Sequence, residues 1–336
     1  MVVDPPHRRA DRARALFYQA PLSANIRTVK IPLLTEDDGA EANVRIRTLF
    51  SGLSRGTERL VFEGRLPESE WLRMRAPHQS GDFPFPVKYG YAAVGVAEAG
   101  QSALIGRNCF ALFPHQSRFV LPAASVVPLP EGMPPRRAVL AANMETALNA
   151  IWDSGALPGQ NIAVIGAGLL GCLIGFLAAR LPGSKVTLID LDPERADIAE
   201  RLGLGFSTPD EAASGAEVIF HTSASEAGLR LALEIAAFEA RIVEASWFGD
   251  RQVTLPLGGS FHSQRLQLIS TQVGAVAPAM RARLTHRQRL ETALRLLDDG
   301  RLDALITDEV AFEDLPAALP RLLGADARGI ATAIRY

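Results

Sequence analysis

The chain has 336 residues, 48% hydrophobic and 21% charged, with 35 Lys and Arg against 37 Asp and Glu. That apolar content at a formal net charge of -2 excludes a disordered chain and gives no electrostatic reason to bind nucleic acid or an anionic membrane. At roughly 100–200 residues per domain, the length predicts two domains with separate cores. Cys109 and Cys172 are too few for a disulfide framework or a four-cysteine zinc site, and read as core residues in a reducing compartment. The Arg-rich N-terminus lacks a secretory signal, and no run approaches the roughly 18 apolar residues of a membrane span, so the expected location is cytoplasmic.

Residues 1–12 read as a flexible tail. From Ala13 come short alternating segments, ALFYQAP, IRTVKIPL and ANVRIRTLFSGLS, broken by Pro, Gly and Asn, and these read as strands. AAVGVAEA at 92–99, RNCFALF at 107–113 and residues 117–121 continue the pattern, predicting a small barrel or paired sheets. Arg136 to Ser154 then shows apolar residues at helical spacing with no Gly or Pro, and reads as one helix. Beyond it, strands and helices alternate: NIAVI with LLGCLIGFLAARL, KVTLID with PERADIAERLG, AEVIFHTS with EAGLRLALEIAAF, then ARIVEAS and a fifth strand, LQLISTQ. Such alternation means a parallel sheet covered on both faces. A helix over 285–298 follows; Arg281 to Arg289 reads as a solvated basic loop and helix start, and GIATAIRY as a closing strand.

Gly166-Ala-Gly168-Leu169-Leu170-Gly171 follows the strand IAVI and opens a helix, and Asp190 ends the next strand 19 residues after Gly171. This is the context of a dinucleotide-binding turn. Gly166 permits the tight turn, Gly168 leaves room for a pyrophosphate, and Gly171 lets the helix pack close to the strand. The helix N-terminus offers N–H groups and a positive dipole end to the phosphates. Asp190 is expected to accept from the adenosine ribose hydroxyls and, with Asp192 nearby, to repel a 2′-phosphate. The expected cofactor is therefore NAD, with NADP open because Arg195 lies close.

With this turn near the middle, and with FSGLSRGTE, YGYAAVG and the ETALNA helix before it in order, the chain resembles the medium-chain dehydrogenase/reductase superfamily, alcohol dehydrogenase-like. SGLSRGTE and GYAAVG are most similar to the branch containing bacteriochlorophyllide a dehydrogenase. The resemblance implies an α/β fold in which a doubly wound Rossmann domain, 141–299, is inserted in a β-rich GroES-like catalytic domain, 13–140 and 300–336. It implies an active site in the cleft between them, and a homodimer formed by edge pairing of the Rossmann sheets.

At the positions where zinc-dependent members carry their catalytic ligands this sequence has Ser54, Tyr91 and Ala142, so the resemblance implies a zinc-free site with no metal. Tyr91 is then the first candidate acid, its pKa lowered by Lys88, against a packing role in the vacant metal pocket. Ser54 and Thr57 are candidate proton-relay hydroxyls, against plain loop hydroxyls, and Glu58 is expected to brace their loop. Arg55 is expected at the pyrophosphate and Thr146 at the nicotinamide. Glu145 is either a general base or the partner of an Arg. Thr222, Ser223, Ala245 and Ser246 end parallel strands and should edge the nicotinamide pocket. Trp247, Phe248, Phe261 and His262 are candidates for the substrate side, against simple packing.

The reading is a zinc-independent oxidoreductase acting on a small-molecule secondary alcohol or ketone, with no nucleic-acid or membrane partner. Two other readings stay open: a quinone or enone reductase, and a cofactor-binding sensor without catalysis.

Overall fold

The computed structural model describes residues 11–34, 43–100 and 102–336. Residues 1–10 of the expected tail lie outside the described residues, whereas Arg12 already belongs to the first strand. In chain order the first part contains β1 (Arg12–Ala20), β2 (Ser23–Lys30), β3 (Asn43–Leu53), α1 (Arg55–Glu63), β4 (Ser80–Gly81) and β5 (Val87–Lys88), then β6 (Ala93–Gly100), β7 (Asn108–Ala111), β8 (Arg118–Pro122) and β9 (Val127–Pro128). The expected single helix over 136–154 is instead two, α2 (Pro135–Ala138) and α3 (Ala141–Ser154). Between them the backbone presses on β3, where a Cβ on Gly52 would stand 2.8 Å from the Val139 carbonyl oxygen.

The middle part runs β10 (Asn161–Ile165), α4 (Leu169–Ala178), β11 (Lys185–Ile189), α5 (Arg195–Leu202), β12 (Gly205–Ser207), β13 (Ala216–His221), α6 (Glu226–Ile235), β14 (Ala236–Glu244), α7 (Ser260–Ser263) and β15 (Gln267–Ser270). The chain closes with α8 (His286–Leu296), β16 (Ile306–Ala311), α9 (Leu315–Leu323) and β17 (Ala331–Arg335). α8 starts as its sequence asks, with a reciprocal capping box between Thr285 and Gln288.

Three sheets result. The parallel one has strand order β12-β11-β10-β13-β14-β15. That order reverses direction between β10 and β13, which opens a crevice at their carboxyl ends. Its central strands, β10 and β13, are nearly continuous buried runs because helices cover both faces. A seven-stranded sheet runs β16-β17-β3-β6-β7-β9, with β8 on β3, and a four-stranded one runs β2-β1-β5-β4. One buried cluster extends from Val94 and Phe110 in the seven-stranded sheet, through Met144 and Leu148 of α3, to Ile162 and Val164 of the parallel sheet. α3 is thus the wedge that joins the two sheets. Among the described residues, no helix is long and apolar enough to cross a membrane.

One part of the expected basic loop is not solvated. Arg289 is 1% exposed; its Nε donates to Glu145 Oε1 at 3.0 Å and its Nη1 to Asn149 Oδ1 at 2.7 Å and the Ala275 carbonyl at 3.0 Å. A guanidinium tolerates such burial because its planar fork satisfies several acceptors at once. Replacing it should leave Glu145 charged and unpaired in the core. We expect Arg289→Met to lose about 3–5 kcal/mol of unfolding free energy. Adding Glu145→Gln should restore part of that loss in the same urea titration.

Candidate active site

α1 begins directly after β3, and its start is built around one buried carboxylate. Glu58 is fully buried. Its Oε1 accepts from the Ser54 backbone N–H at 2.8 Å, and its Oε2 accepts from the Tyr18 hydroxyl at 2.7 Å and faces His115 Nε2 at 2.9 Å. The ring's other nitrogen lies 2.7 Å from Ser51 Oγ, which lies 3.0 Å from the Tyr336 hydroxyl. With Glu58 ionised, every proton has a place: His115 donates from Nε2 and accepts Ser51 at Nδ1. Burial and this carboxylate push the Tyr18 phenol well above its ordinary pKa, and burial does the same at Tyr336. Glu58 therefore does what was expected of it, bracing the turn that carries Ser54, although that turn is the start of a helix. Thr57 is in α1 itself, not in a loop.

Because Glu58 takes its backbone, the Ser54 side chain is free of capping duty. Its Oγ accepts from the Tyr91 hydroxyl at 2.5 Å. Thr57 also hydrogen-bonds Tyr91, so three hydroxyls meet on one wall. Burial pushes the Tyr91 phenol up to about 12, with the Ser54 and Thr57 bonds pulling the other way. Lys88 has no part in this. Its ammonium donates to Gln116 Oε1 at 2.7 Å and lies 5.1 Å from the Phe113 ring centroid, and burial lowers its pKa to about 8. The expected depression of Tyr91 by Lys88 is thus reversed: Tyr91 is a neutral phenol throughout the physiological range.

Ser54, Tyr91 and Ala142 all line one cleft of about 1160 Å³, together with Arg55, Thr57, Glu145, Thr146, Thr222, Ser223, Ala245, Ser246 and Trp247. Two neutral hydroxyls and a methyl do not fit a zinc ion, which takes thiolate, imidazole or carboxylate ligands. Among the described residues, no group of three or more His, Cys, Asp or Glu is placed to hold a metal. Glu145 spends its carboxylate on Arg289, and burial raises its pKa while Arg289 opposes the rise. The Thr146 hydroxyl donates to the Ala142 carbonyl at 3.0 Å.

The Gly-rich turn forms the floor of the same cleft. Gly166 has φ of 105°, a conformation L side chains rarely adopt, and a Cβ on Gly171 would stand 1.9 Å from the Gly166 carbonyl oxygen. A Cβ on Gly168, by contrast, would meet nothing within 4 Å. The turn is thus tight behind and open in front, where Gly168, Leu169, Leu170 and Gly171 line the cleft. These residues fit a dinucleotide, whose phosphates would take the unpaired N–H groups at the start of α4. Thr222 locks the crevice from the other side, its hydroxyl donating to the Gly166 carbonyl at 2.8 Å.

Asp190 sits behind the turn. Its Oδ2 accepts from Ala167 N–H at 2.7 Å and its Oδ1 from Asp192 N–H at 3.0 Å. Arg195 pairs with Asp192 at 3.3 Å and donates to the Gly329 carbonyl at 3.1 Å. Arg55 donates to the carbonyls of Ala327, at 3.0 Å, and Arg328. Desolvation and the nearby Arg195 lower the Arg55 pKa. Both arginines therefore hold consecutive carbonyls of one segment.

The aromatic candidates separate. Trp247 lines the cleft, whereas Phe248 stacks on His221 with ring centroids 6.0 Å apart and lies behind the wall. His262 is exposed on α7, which packs against α6 on the outer side of the parallel sheet, and Phe261 joins the core there. Neither His262 nor Phe261 lines the cleft, whose last lining residue from this loop is Arg251. Sequence reasoning missed His115 and His221, each fully buried against a Glu distant in sequence.

The sequence is similar to several curated proteins, and no protein-family profile matches it. It is 26% identical to an uncharacterized zinc-type alcohol dehydrogenase-like protein of Haemophilus influenzae over 60% of this chain and 58% of that protein. The match thus spans less than two thirds of that relative. A D-guloside 3-dehydrogenase of Escherichia coli is 24% identical over 84% of this chain and 89% of its own length. Among solved structures, a protein of Sinorhizobium meliloti bound to NADP superposes with a TM-score of 0.76 at 14% identity, covering 97% and 100% of the two chains.

Lys88 yields a stability prediction. Its folded pKa is depressed, so the unfolded chain holds the extra proton between about pH 8 and 10.5, and its burial costs most at neutral pH. We expect Lys88→Met to be more stable than the parent at pH 7, with the advantage shrinking as pH rises towards 10.

Proposed function

We propose that this chain is a nicotinamide-dependent oxidoreductase of the alcohol dehydrogenase-like medium-chain dehydrogenase/reductase superfamily, interconverting a secondary alcohol and a ketone without a catalytic metal. One observation carries the reading. The hydroxyls of Ser54, Thr57 and Tyr91 and the open Gly-rich turn wall a single cleft, while the residues at the zinc-ligand positions have no metal-binding chemistry.

A bound nicotinamide dinucleotide supplies or accepts the hydride. The protein's own share is to hold the substrate oxygen and its proton. Tyr91 donates to Ser54 Oγ, which leaves the Ser54 proton available to a carbonyl oxygen in the cleft. As that oxygen becomes a hydroxyl, Ser54 gives it a proton, Tyr91 gives its own proton to Ser54 Oγ, and the phenol regains a proton from solvent. A phenol held at about 12 is protonated in the resting protein, so the relay starts with Tyr91 as donor to Ser54. Glu58 fixes the Ser54 backbone so that these hydroxyls need no reorganisation. The apolar wall at Trp247 and Leu112 excludes water from the reacting end.

Asp190 follows β11 and accepts from Ala167 N–H in the Gly-rich turn; an acidic residue at this strand end supports preference for NAD over NADP, because it would repel a 2′-phosphate. The same fold holds NADP in the Sinorhizobium meliloti protein, so the proposed preference is assigned to this side chain and not to the fold.

The deciding experiment is a pair of fluorescence titrations on purified protein, with NADH and with NADPH. Tight NADH binding supports the reading and directs a screen of secondary alcohols with NAD; failure of both ligands to bind removes it. We expect Asp190→Ala to narrow the difference between the two affinities. On the best substrate found, Tyr91→Phe should lower turnover about 100-fold or more without unfolding the protein, and exhaustive chelation should leave turnover unchanged.

A further inference from the structure

Beside the glycine turn, at the carboxyl ends of β13 and β14, lies a second chain of hydrogen bonds that the proposed reaction does not use. His221 and Glu244 are register partners in the two strands. His221 Nδ1 lies 2.7 Å from Glu244 Oε2, and Glu244 Oε1 accepts from the Ser246 backbone N–H at 2.7 Å. His221 Nε2 lies 2.7 Å from Ser223 Oγ, which lies 3.0 Å from Ser225 Oγ, and that oxygen accepts from Gly228 N–H at 3.0 Å. The packing is close enough to require a glycine: a Cβ on Gly228 would stand 2.5 Å from Ser223 Oγ and 2.9 Å from His221 Nε2.

The carboxylate fixes the tautomer. Glu244 accepts, so Nδ1 of His221 carries a hydrogen, and in the neutral ring Nε2 is a bare acceptor. Ser223 then donates to His221, and Ser225, already accepting from Gly228, donates to Ser223. Every donor in the chain points the same way, which strengthens each bond. His221 is fully buried, whereas Ser223 is exposed in the cleft. With its own hydrogen turned inwards, Ser223 presents only a lone pair to whatever lies over β13. A protonated His221 would reverse this: Nε2 would donate to Ser223 Oγ, and the serine hydrogen would be released towards the cleft.

The surroundings leave this polarity to His221. Glu244 faces it from β14, and Ile165 flanks it from β10. Phe248 covers one ring face, and Arg251, from the same loop, is occupied with the Ala224 carbonyl at 2.8 Å and the Phe248 ring. On α6, Glu226 is paired with Arg230.

We propose that Glu244, His221 and Ser223 form a proton-linked binding relay, in which neutral His221 sets Ser223 as the acceptor for a donor group on the nicotinamide half of the dinucleotide. This rests on the dinucleotide-binding reading above. Binding therefore excludes a proton from His221, and affinity falls as pH falls. His221 and Glu244 are positioning residues; Ser223 makes the contact.

The test is calorimetric titration of the intact protein with NAD from about pH 5.5 to 7.5, the window in which histidines titrate, in two buffers of different ionisation enthalpy. The expected result is an affinity roughly tenfold weaker at the acid end, with net proton release on binding. His221→Gln, which can still donate to Glu244 and accept from Ser223, should flatten the pH profile while binding NAD at pH 7.5. Ser223→Ala should weaken binding at pH 7.5 and also flatten the profile. His78 and His286 line the same cleft, so a slope that persists in His221→Gln overturns the relay. Binding that is independent of pH in the parent protein also overturns it and leaves the dinucleotide reading standing. Absence of NAD and NADH binding at every pH removes both.

Discussion

The hydroxyl-lined wall of the cleft hangs on one buried carboxylate. Glu58 pulls the Ser54 backbone, the Tyr18 hydroxyl and the His115 ring onto its two oxygens, so β1, α1 and the segment before β8 meet at one point. A carboxylate in such a place is tolerable only because each oxygen is matched by donors. Its positional demand is severe. Gly90 is part of the answer: its φ is 115°, and a Cβ there would stand 2.9 Å from the His115 ring. The glycine that lets this ring reach Glu58 is also the residue before Tyr91, so the histidine's approach and the phenol's placement are settled together.

The two ionic networks of the cleft divide the labour between its walls. On the sheet–helix wall, Glu58 holds the Ser54 backbone and leaves the Ser54, Thr57 and Tyr91 hydroxyls to one another and to the cleft. On the wall beside the Gly-rich turn, Glu244 pairs with the His221 ring, whose other nitrogen meets Ser223. Glu145, the carboxylate nearest in sequence to a catalytic reading, is instead consumed in holding α3 to α8 through Arg289. Each of these three carboxylates is thus held by partners in the protein: Glu58 by Tyr18, His115 and the Ser54 backbone, Glu244 by His221 and the Ser246 backbone, and Glu145 by Arg289.

Much of this was legible in the sequence, and the unread parts share a cause. The glycine turn could be read because its three constraints lie within six residues and each has a local reason. The strand and helix alternation could be read because burial on both faces writes itself as unbroken apolar runs. Glu58 and His115 are 57 residues apart, and Glu145 and Arg289 are 144 apart, so neither pairing leaves a periodic mark. Lys88 misled for a geometric reason: β5 ends at Lys88 and Gly90, at φ 115°, turns the chain before Tyr91, while the ammonium is taken by Gln116. His262 misled because distance along the chain after β14 says nothing about where a loop returns.

The strand pairing also fixes an order of assembly. The parallel sheet is made from one continuous stretch, with its strands drawn from residues 161–270. The edge of β3 that carries Ser51 is completed only by β17, and Ser51 meets Tyr336 across 285 residues. During synthesis the nucleotide-binding half can therefore be complete while β3 still shows an unpaired edge, the kind of surface that chaperones shield and aggregates recruit. Defects in the seven-stranded sheet should accordingly appear first as lost yield of soluble protein, before they appear as lost turnover.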